Sequence, residues 1–150
     1  MRFRFIWIGK TKDKHWKALQ DDYLKRLSKF VKTEIAELKD AVGPEQVAKE
    51  GERILDNLNQ NSFVVLLDVK GRSCSSPELA GELEKWQNRG LKEVSFVIGG
   101  ANGISPGVAM RADISLSLSF LTFTHEMSRV VLLEQLYRAF TIIKGFPYQK

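Results

Sequence analysis

The chain switches repeatedly between two hydrophobic rhythms. From Arg2 to Ile8, Phe3, Phe5 and Trp7 alternate with Arg2 and Arg4 and the run stops at Gly9, a period-two pattern that predicts a first strand. Over residues 14–30 the period changes. Trp16, Leu19, Tyr23, Leu27 and Phe30 recur at three- and four-residue steps, with Lys17, Asp21, Lys25 and Arg26 opposite, which predicts an amphipathic helix. "TEIAEL", residues 33–38, predicts a second strand. "KDAVGPEQ" is turn-like, and Pro44 opens a helix that carries Val47, Ile54, Leu55 and Leu58 on one face, with Gly51 weakening it.

The second half repeats the alternation. "SFVVLLDV" is a continuous apolar run ending near Asp68, the pattern of a strand covered on both faces. Ser75 or Ser76 caps a helix that has Pro77 and Glu78 in its first turn and runs to about Arg89. "VSFVIGG" is another buried-strand run, "SPGVAMRA" a short helix opened by Pro106, and "DISLSLS" a fifth strand. Residues 124–145 form a last helix with Met127, Val130, Val131, Leu133, Leu136, Phe140 and Ile143 on its apolar face, Thr124 as cap and Gly145 at its end. Strands alternating with helices predict an α/β fold, a mainly parallel sheet covered by helices on both faces, as one domain over residues 1–150. Ligands in such sheets sit at the carboxyl ends of strands. "LLDVKG", "IGGANG" and "SLSFLTFTH" mark three such ends, and if their strands are neighbours the three loops converge.

Composition narrows the partner. Twenty-three Lys and Arg against 18 Asp and Glu give a net charge of +5 and favour a polyanion, although a basic excess of this size also serves solubility. Cys74 is the only cysteine, so no internal disulfide forms and nothing points to an oxidising compartment. The opening "MRFRFIWIGKTKDK" reads as a strand rather than a signal peptide, and no apolar run reaches the roughly 20 residues of a membrane span.

The glycines of "FVIGGANGIS" are poor candidates for a phosphate cradle. A Walker loop needs Lys and then Ser or Thr after its last glycine, where this chain has Ile104 and Ser105. From Val94 to Met110 there is no charged side chain. A dinucleotide fingerprint belongs after the first strand, which here ends in the lone Gly9. A structural turn, or a wall for a ligand uncharged where it touches, remains.

Three separated segments, "IGG..NG", "LS..TF.H...R" and "EQ.YRA", resemble the RlmH family of SPOUT-class methyltransferases, which modify N3 of a pseudouridine in large-subunit ribosomal RNA. "IGK" after the first strand, "EGERIL" and the Leu67–Asp68 pair extend the likeness almost end to end. The resemblance implies a SPOUT-type α/β knot with a C-terminal trefoil knot, a homodimer whose active sites each borrow from the partner, and a cytoplasmic protein acting on 23S rRNA of the large subunit within the assembled ribosome. It implies no metal and no membrane. The alternatives within this resemblance are a SPOUT-fold methyltransferase for another rRNA or tRNA nucleotide, and a catalytically weakened RNA-binding homologue.

It further implies S-adenosylmethionine as cofactor, held by Leu67, Gly99, Gly100, Asn102, Gly103, Leu118, Ser119, Phe120, Leu121, Thr122 and Phe123. Such a ligand wants apolar walls and main-chain hydrogen bonds. His125 and Arg129, four apart and so on one helix face, are the candidates for base and for anion or phosphate contact; a backbone-bonded histidine and a surface arginine are the plain alternatives. Glu134 and Arg138 read as an ordinary helix ion pair. Where the family commonly ends in Tyr-His and a basic residue, this chain has Tyr148, Gln149 and Lys150. Glutamine does not titrate near neutrality, so proton transfer at Gln149 is in doubt and a contact role survives, while Tyr148 is a candidate to stack on the target base. Lys10, Lys12, Lys14, Lys144, Lys150 and Arg129 are the candidate RNA-backbone contacts.

Overall fold

A computed structural model of the protein describes residues 1–148. The elements follow in strict alternation: β1 (Arg2–Ile8), α1 (Lys14–Leu27), β2 (Lys32–Leu38), α2 (Gln46–Asn57), β3 (Phe63–Ser73), α3 (Ser76–Asn88), β4 (Glu93–Ile98), α4 (Pro106–Arg111), β5 (Ile114–Ser117) and α5 (His125–Lys144). The five strands form one sheet in the order β2-β1-β4-β3-β5, and every pairing is parallel.

Side-chain alternation divides the core between the two faces of this sheet. Phe3, Phe5, Trp7 and Phe96 point to one side, where Leu27 of α1, Leu83 and Trp86 of α3, and Leu132, Leu136 and Phe140 of α5 cover them. Ile6, Ile8, Val64, Leu66 and Val97 point to the other, against Ile54 of α2 and Val108 of α4. Central β4 is buried at every position, which is why its sequence carries no alternation. Arg4, on the α2 face, is 8% exposed and escapes an unpaired burial by donating to the Asn57 carbonyl at 2.5 Å, with Glu34 3.4 Å away.

Several boundaries differ from the expected ones for local reasons. The first helix ends at Leu27, and residues 28–30 turn to bring Phe30 onto Phe140 with stacked rings 5.4 Å apart. Pro44 lies outside α2, which starts at Gln46 without a side-chain cap. Gly51 does not weaken α2. A Cβ there would overlap Ser105, so the glycine permits close packing of α2 against the α4 cap. The fifth strand is only four residues, while β3 extends to Ser73.

That extension is irregular and matters for the site. Leu67 and Arg72 of β3 both pair with Leu116 of β5, so residues 68–71 leave the ladder and return to the same point. Gly71 closes the excursion against main chain: a Cβ would stand 2.8 Å from Leu116 N and C.

Candidate active site

Because β4 and β5 flank β3, the three strand-end loops singled out from sequence meet in one cleft of about 420 Å³. Leu67, still paired with Leu116, and residues 68–70, which leave the β3–β5 ladder, make one wall. Ile98, Gly99, Gly100, Gly103 and Ile104 make the second. Leu118, Ser119, Leu121, Thr122 and Phe123 make the third, and Ala109 of α4 with His125 and Ser128 of α5 complete it. Among the described residues, the only ionisable side chains in this lining are Asp68, Lys70 and His125.

Each wall has its own local support. Gly103, at φ 102°, reverses the chain, and its N–H donates to the Gly100 carbonyl at 3.2 Å. Asn102 donates to Gln46 Oε1 at 2.7 Å, tying the tip of this turn to α2. Ser105 then caps α4 through Val108 N at 3.3 Å. In the third loop Ser119 Oγ accepts from Leu121 N at 2.9 Å, and Ser117 Oγ donates to the Ser119 carbonyl at 3.2 Å, so short hydroxyl side chains hold a segment that lacks a ladder. At the Asp68 corner, Oδ1 accepts from Lys70 N at 3.0 Å. Thr124 Oγ1 accepts from Met127 N at 3.3 Å and starts α5, which sets His125 at the cleft.

The structure brings together Leu67, Gly99, Gly100, Gly103, Leu118, Ser119, Leu121, Thr122, Phe123 and His125 from the expected set. It does not bring in Asn102, which is spent on Gln46, or Phe120, which is 80% exposed and outside the lining. Arg129 is corrected. It is 2% exposed, donating to Thr11 Oγ1 at 2.9 Å and to the Ile8 carbonyl at 2.7 Å, with its guanidinium over the Trp7 ring, so it presents no cation to a phosphate. Burial pulls its pKa below the usual arginine value, against the attraction of Glu37 and Glu126.

Tyr148 also lies outside the cleft of its own chain. Its hydroxyl is 3.4 Å from that of Tyr23 and donates to Glu134 Oε1 at 3.2 Å, and its ring meets Tyr137 edge-on and lies under Arg138. Burial, then the bonds to Tyr23 and Glu134, push its pKa upward. Glu134 and Arg138 form the expected ion pair at 2.6 Å, which raises the Arg138 pKa. Lys10, Lys12, Lys14 and Lys144 are exposed. Gln149 and Lys150 lie outside the described residues.

Sequence reasoning missed Glu50. Only 2% exposed, it accepts from Ala41 N at 3.0 Å and Gln46 Nε2 at 3.3 Å through Oε2, while Oε1 is buried without a hydrogen-bond partner beside Gly100. A carboxylate on a helix with solvated neighbours carries no signal of burial in a single sequence. Lys70, Ile104 and Ser128 were missed because only the tertiary fold turns them to the cleft. Among the described residues no group of three or more His, Cys, Asp or Glu side chains stands close enough to hold a metal, and no helix is long and apolar enough to cross a membrane.

An apolar, glycine-walled cleft with one acid, one lysine and one histidine suits a flat, partly apolar ligand far better than a polyphosphate. The family model described as "Predicted SPOUT methyltransferase" matches residues 1–149. A protein of Limosilactobacillus reuteri named ribosomal RNA large subunit methyltransferase H is 44% identical to this chain, with all of both chains covered. A Clostridium botulinum protein of the same name is also 44% identical over the whole of both chains. One from Geotalea daltonii is 44% identical over 99% of each.

Proposed function

The chain belongs to the SPOUT methyltransferase family, and on that premise we propose that it methylates N3 of a pseudouridine in large-subunit ribosomal RNA with S-adenosylmethionine as donor. The observation that carries this reading is the convergence of the β3, β4 and β5 loops on a cleft whose walls fit such a donor. Leu67, Leu118 and Phe123 offer apolar contact to an adenine. The glycine wall lets main chain approach closely, since even a methyl group at Gly99 would collide with Ile104 and come within 3.2 Å of the Gly103 carbonyl. Asp68 is the one carboxylate in the lining among the described residues, suited to the cationic end of the donor.

S-adenosylmethionine supplies an electrophilic methyl group on a sulfonium. The protein's own task is to deliver a deprotonated N3. His125, in the cleft, would take the proton from N3, and bound S-adenosylmethionine would supply the methyl group to the N3 so exposed.

Tyr148, remote from the cleft of its own chain, fits a homodimer in which each tail serves the partner's site. Exposed Leu19 on α1, Ile142 on α5 and Phe146 supply apolar surface for such an interface. The excursion of residues 68–71, with Gly71 packed on β5 main chain, is consistent with a C-terminal segment threaded as a trefoil knot. The reading has the protein work in the cytoplasm, where ribosomes are.

The test is incubation of the protein with radiolabelled S-adenosylmethionine and ribosomes from a strain lacking this modification, followed by mapping of the methyl group. Transfer to N3 of one pseudouridine is the expected result. Transfer only to transfer RNA or to another nucleotide, or none despite intact cofactor binding, would falsify it.

A further inference from the structure

The loop between β1 and α1 carries two exposed lysines, Lys10 and Lys12, with exposed Lys14 opening α1 directly after it, and is pinned by three carboxylate-bound amides. Lys10, Lys12 and Lys14 are exposed and, among the described residues, take part in no ion pair. Beneath them the main-chain N–H groups of three successive residues are captured. Thr11 N donates to Glu37 Oε2 at 3.3 Å, Lys12 N donates to Glu126 Oε1, and Asp13 N donates to the same oxygen at 3.1 Å. Arg129 completes the attachment from the next turn of α5, through Thr11 Oγ1 and the Ile8 carbonyl. Thr11 passes the connection on by donating to buried Gln20 of α1 at 2.5 Å.

Both anchors sit on the helix turns that carry the cleft residues. Glu126 follows His125 directly, and Arg129 follows Ser128. A loop free to move would have to order its lysines on binding, at a cost in conformational entropy for each long side chain and its backbone. A loop tied to α5 has already lost the backbone share of that freedom.

We propose that Glu126 and Arg129 are positioning residues. They lock the lysine-bearing loop to the start of α5, so that Lys10, Lys12 and Lys14 form a fixed cationic lip beside His125 that takes the phosphate backbone flanking the target nucleotide. Arg129 acts from inside the protein and touches no phosphate. The inference rests on the RNA-methylation reading for its ligand, and its experiment separates the two.

Charge and position predict opposite signs, which makes Glu126 the informative residue. Glu126→Ala removes a negative charge, and by charge alone it would tighten binding to RNA. The clamp predicts the reverse: KM for ribosomes and Kd for ribosomes in a titration both rise about fivefold to tenfold, with S-adenosylmethionine affinity within twofold of the parent. Glu126→Gln keeps an acceptor oxygen and returns the ribosome Kd to near the parental value. Arg129→Lys keeps the charge, cannot span Thr11 and Ile8, and weakens ribosome binding likewise. Lys10→Ala with Lys12→Ala lowers the slope of log affinity against log salt by about one to two, from roughly 0.7 per phosphate contact in a single strand.

Tighter or unchanged ribosome binding by Glu126→Ala overturns the clamp, as does a glutamine variant that behaves like the alanine one. If the parental protein binds ribosomes but transfers no methyl group, the enzymatic reading fails while the binding titration still decides the clamp. If it binds no RNA, both fail.

Discussion

The carboxylate of Glu50 occupies the space that a side chain at residue 100 would need. A Cβ on Gly100 would overlap Glu50 Oε1 and lie 3.2 Å from its carboxyl carbon. Glu50 has no room to withdraw, being held by Ala41 N and Gln46 from a position 2% exposed. Gly100 therefore stands between a buried acid and the cleft, and the glycine wall is shaped from behind by α2.

Gly100→Ala is accordingly expected to push the β4 loop into the cleft, weakening S-adenosylmethionine binding about tenfold and destabilising the fold by about 1–3 kcal/mol, the range for overpacking. Gly99→Ala meets chiefly Ile104 Cδ1, the movable end of a side chain, and should do less damage. Calorimetric titration of both variants ranks them, and equal affinities would remove Glu50 from the account.

His125→Asn should lower kcat for ribosome methylation by about a hundredfold, within the usual range for losing a positioned base, while the cofactor Kd changes little. Single-turnover assays against calorimetry make the split visible. Full activity in this variant would assign the proton to another acceptor.

Tyr148→Phe should leave the shape of the pH–rate profile unchanged between pH 6 and 9. Burial and its bonds to Tyr23 and Glu134 raise the phenol pKa, so it stays protonated throughout that window and contributes no titration. A limb that vanished with the hydroxyl would identify Tyr148 as a proton-transfer group.

At the other end of the sheet, Glu93 should make the protein acid-sensitive. Burial pushes its carboxyl up, but hydrogen bonds from Arg2 and Asn59 more than reverse this and leave it below the ordinary value. With the folded pKa below the unfolded one, the stabilisation is complete above about pH 4.3 and is lost as the pH falls through the folded value. Glu93→Gln should destabilise the fold by about 1–3 kcal/mol at neutral pH, seen as a lower Tm, and flatten the fall of Tm in acid. Parallel Tm curves for the two proteins would contradict the linkage.

Local pattern made most of the elements legible. The first strand was readable to the residue, and both ends of α5 followed from Thr124 and Gly145, because a hydroxyl that accepts from Met127 N and a glycine at φ 67° act within one turn of chain. The three cleft loops were readable too, since strand ends and glycine turns are local features. Arg129 was misread for a physical reason. Its spacing to His125 is that of a shared helix face, but which side of α5 the β1–α1 loop covers depends on residues more than a hundred positions away.

By itself, then, the sequence determined the alternation of strands and helices, the parallel covered sheet, the position of the glycine turn and the family likeness, all of which rest on periodicity, caps and motif spacing. Tertiary structure alone decided that residues 68–71 leave the ladder, with 68–70 walling the cleft, that Glu50 backs Gly100, that Arg129 is buried against Thr11 and Ile8, and that Glu126 accepts from the amides of the β1–α1 loop. Those arrangements depend on the order β2-β1-β4-β3-β5, which brings distant segments together, and on burial that turns charged side chains from solvent groups into anchors.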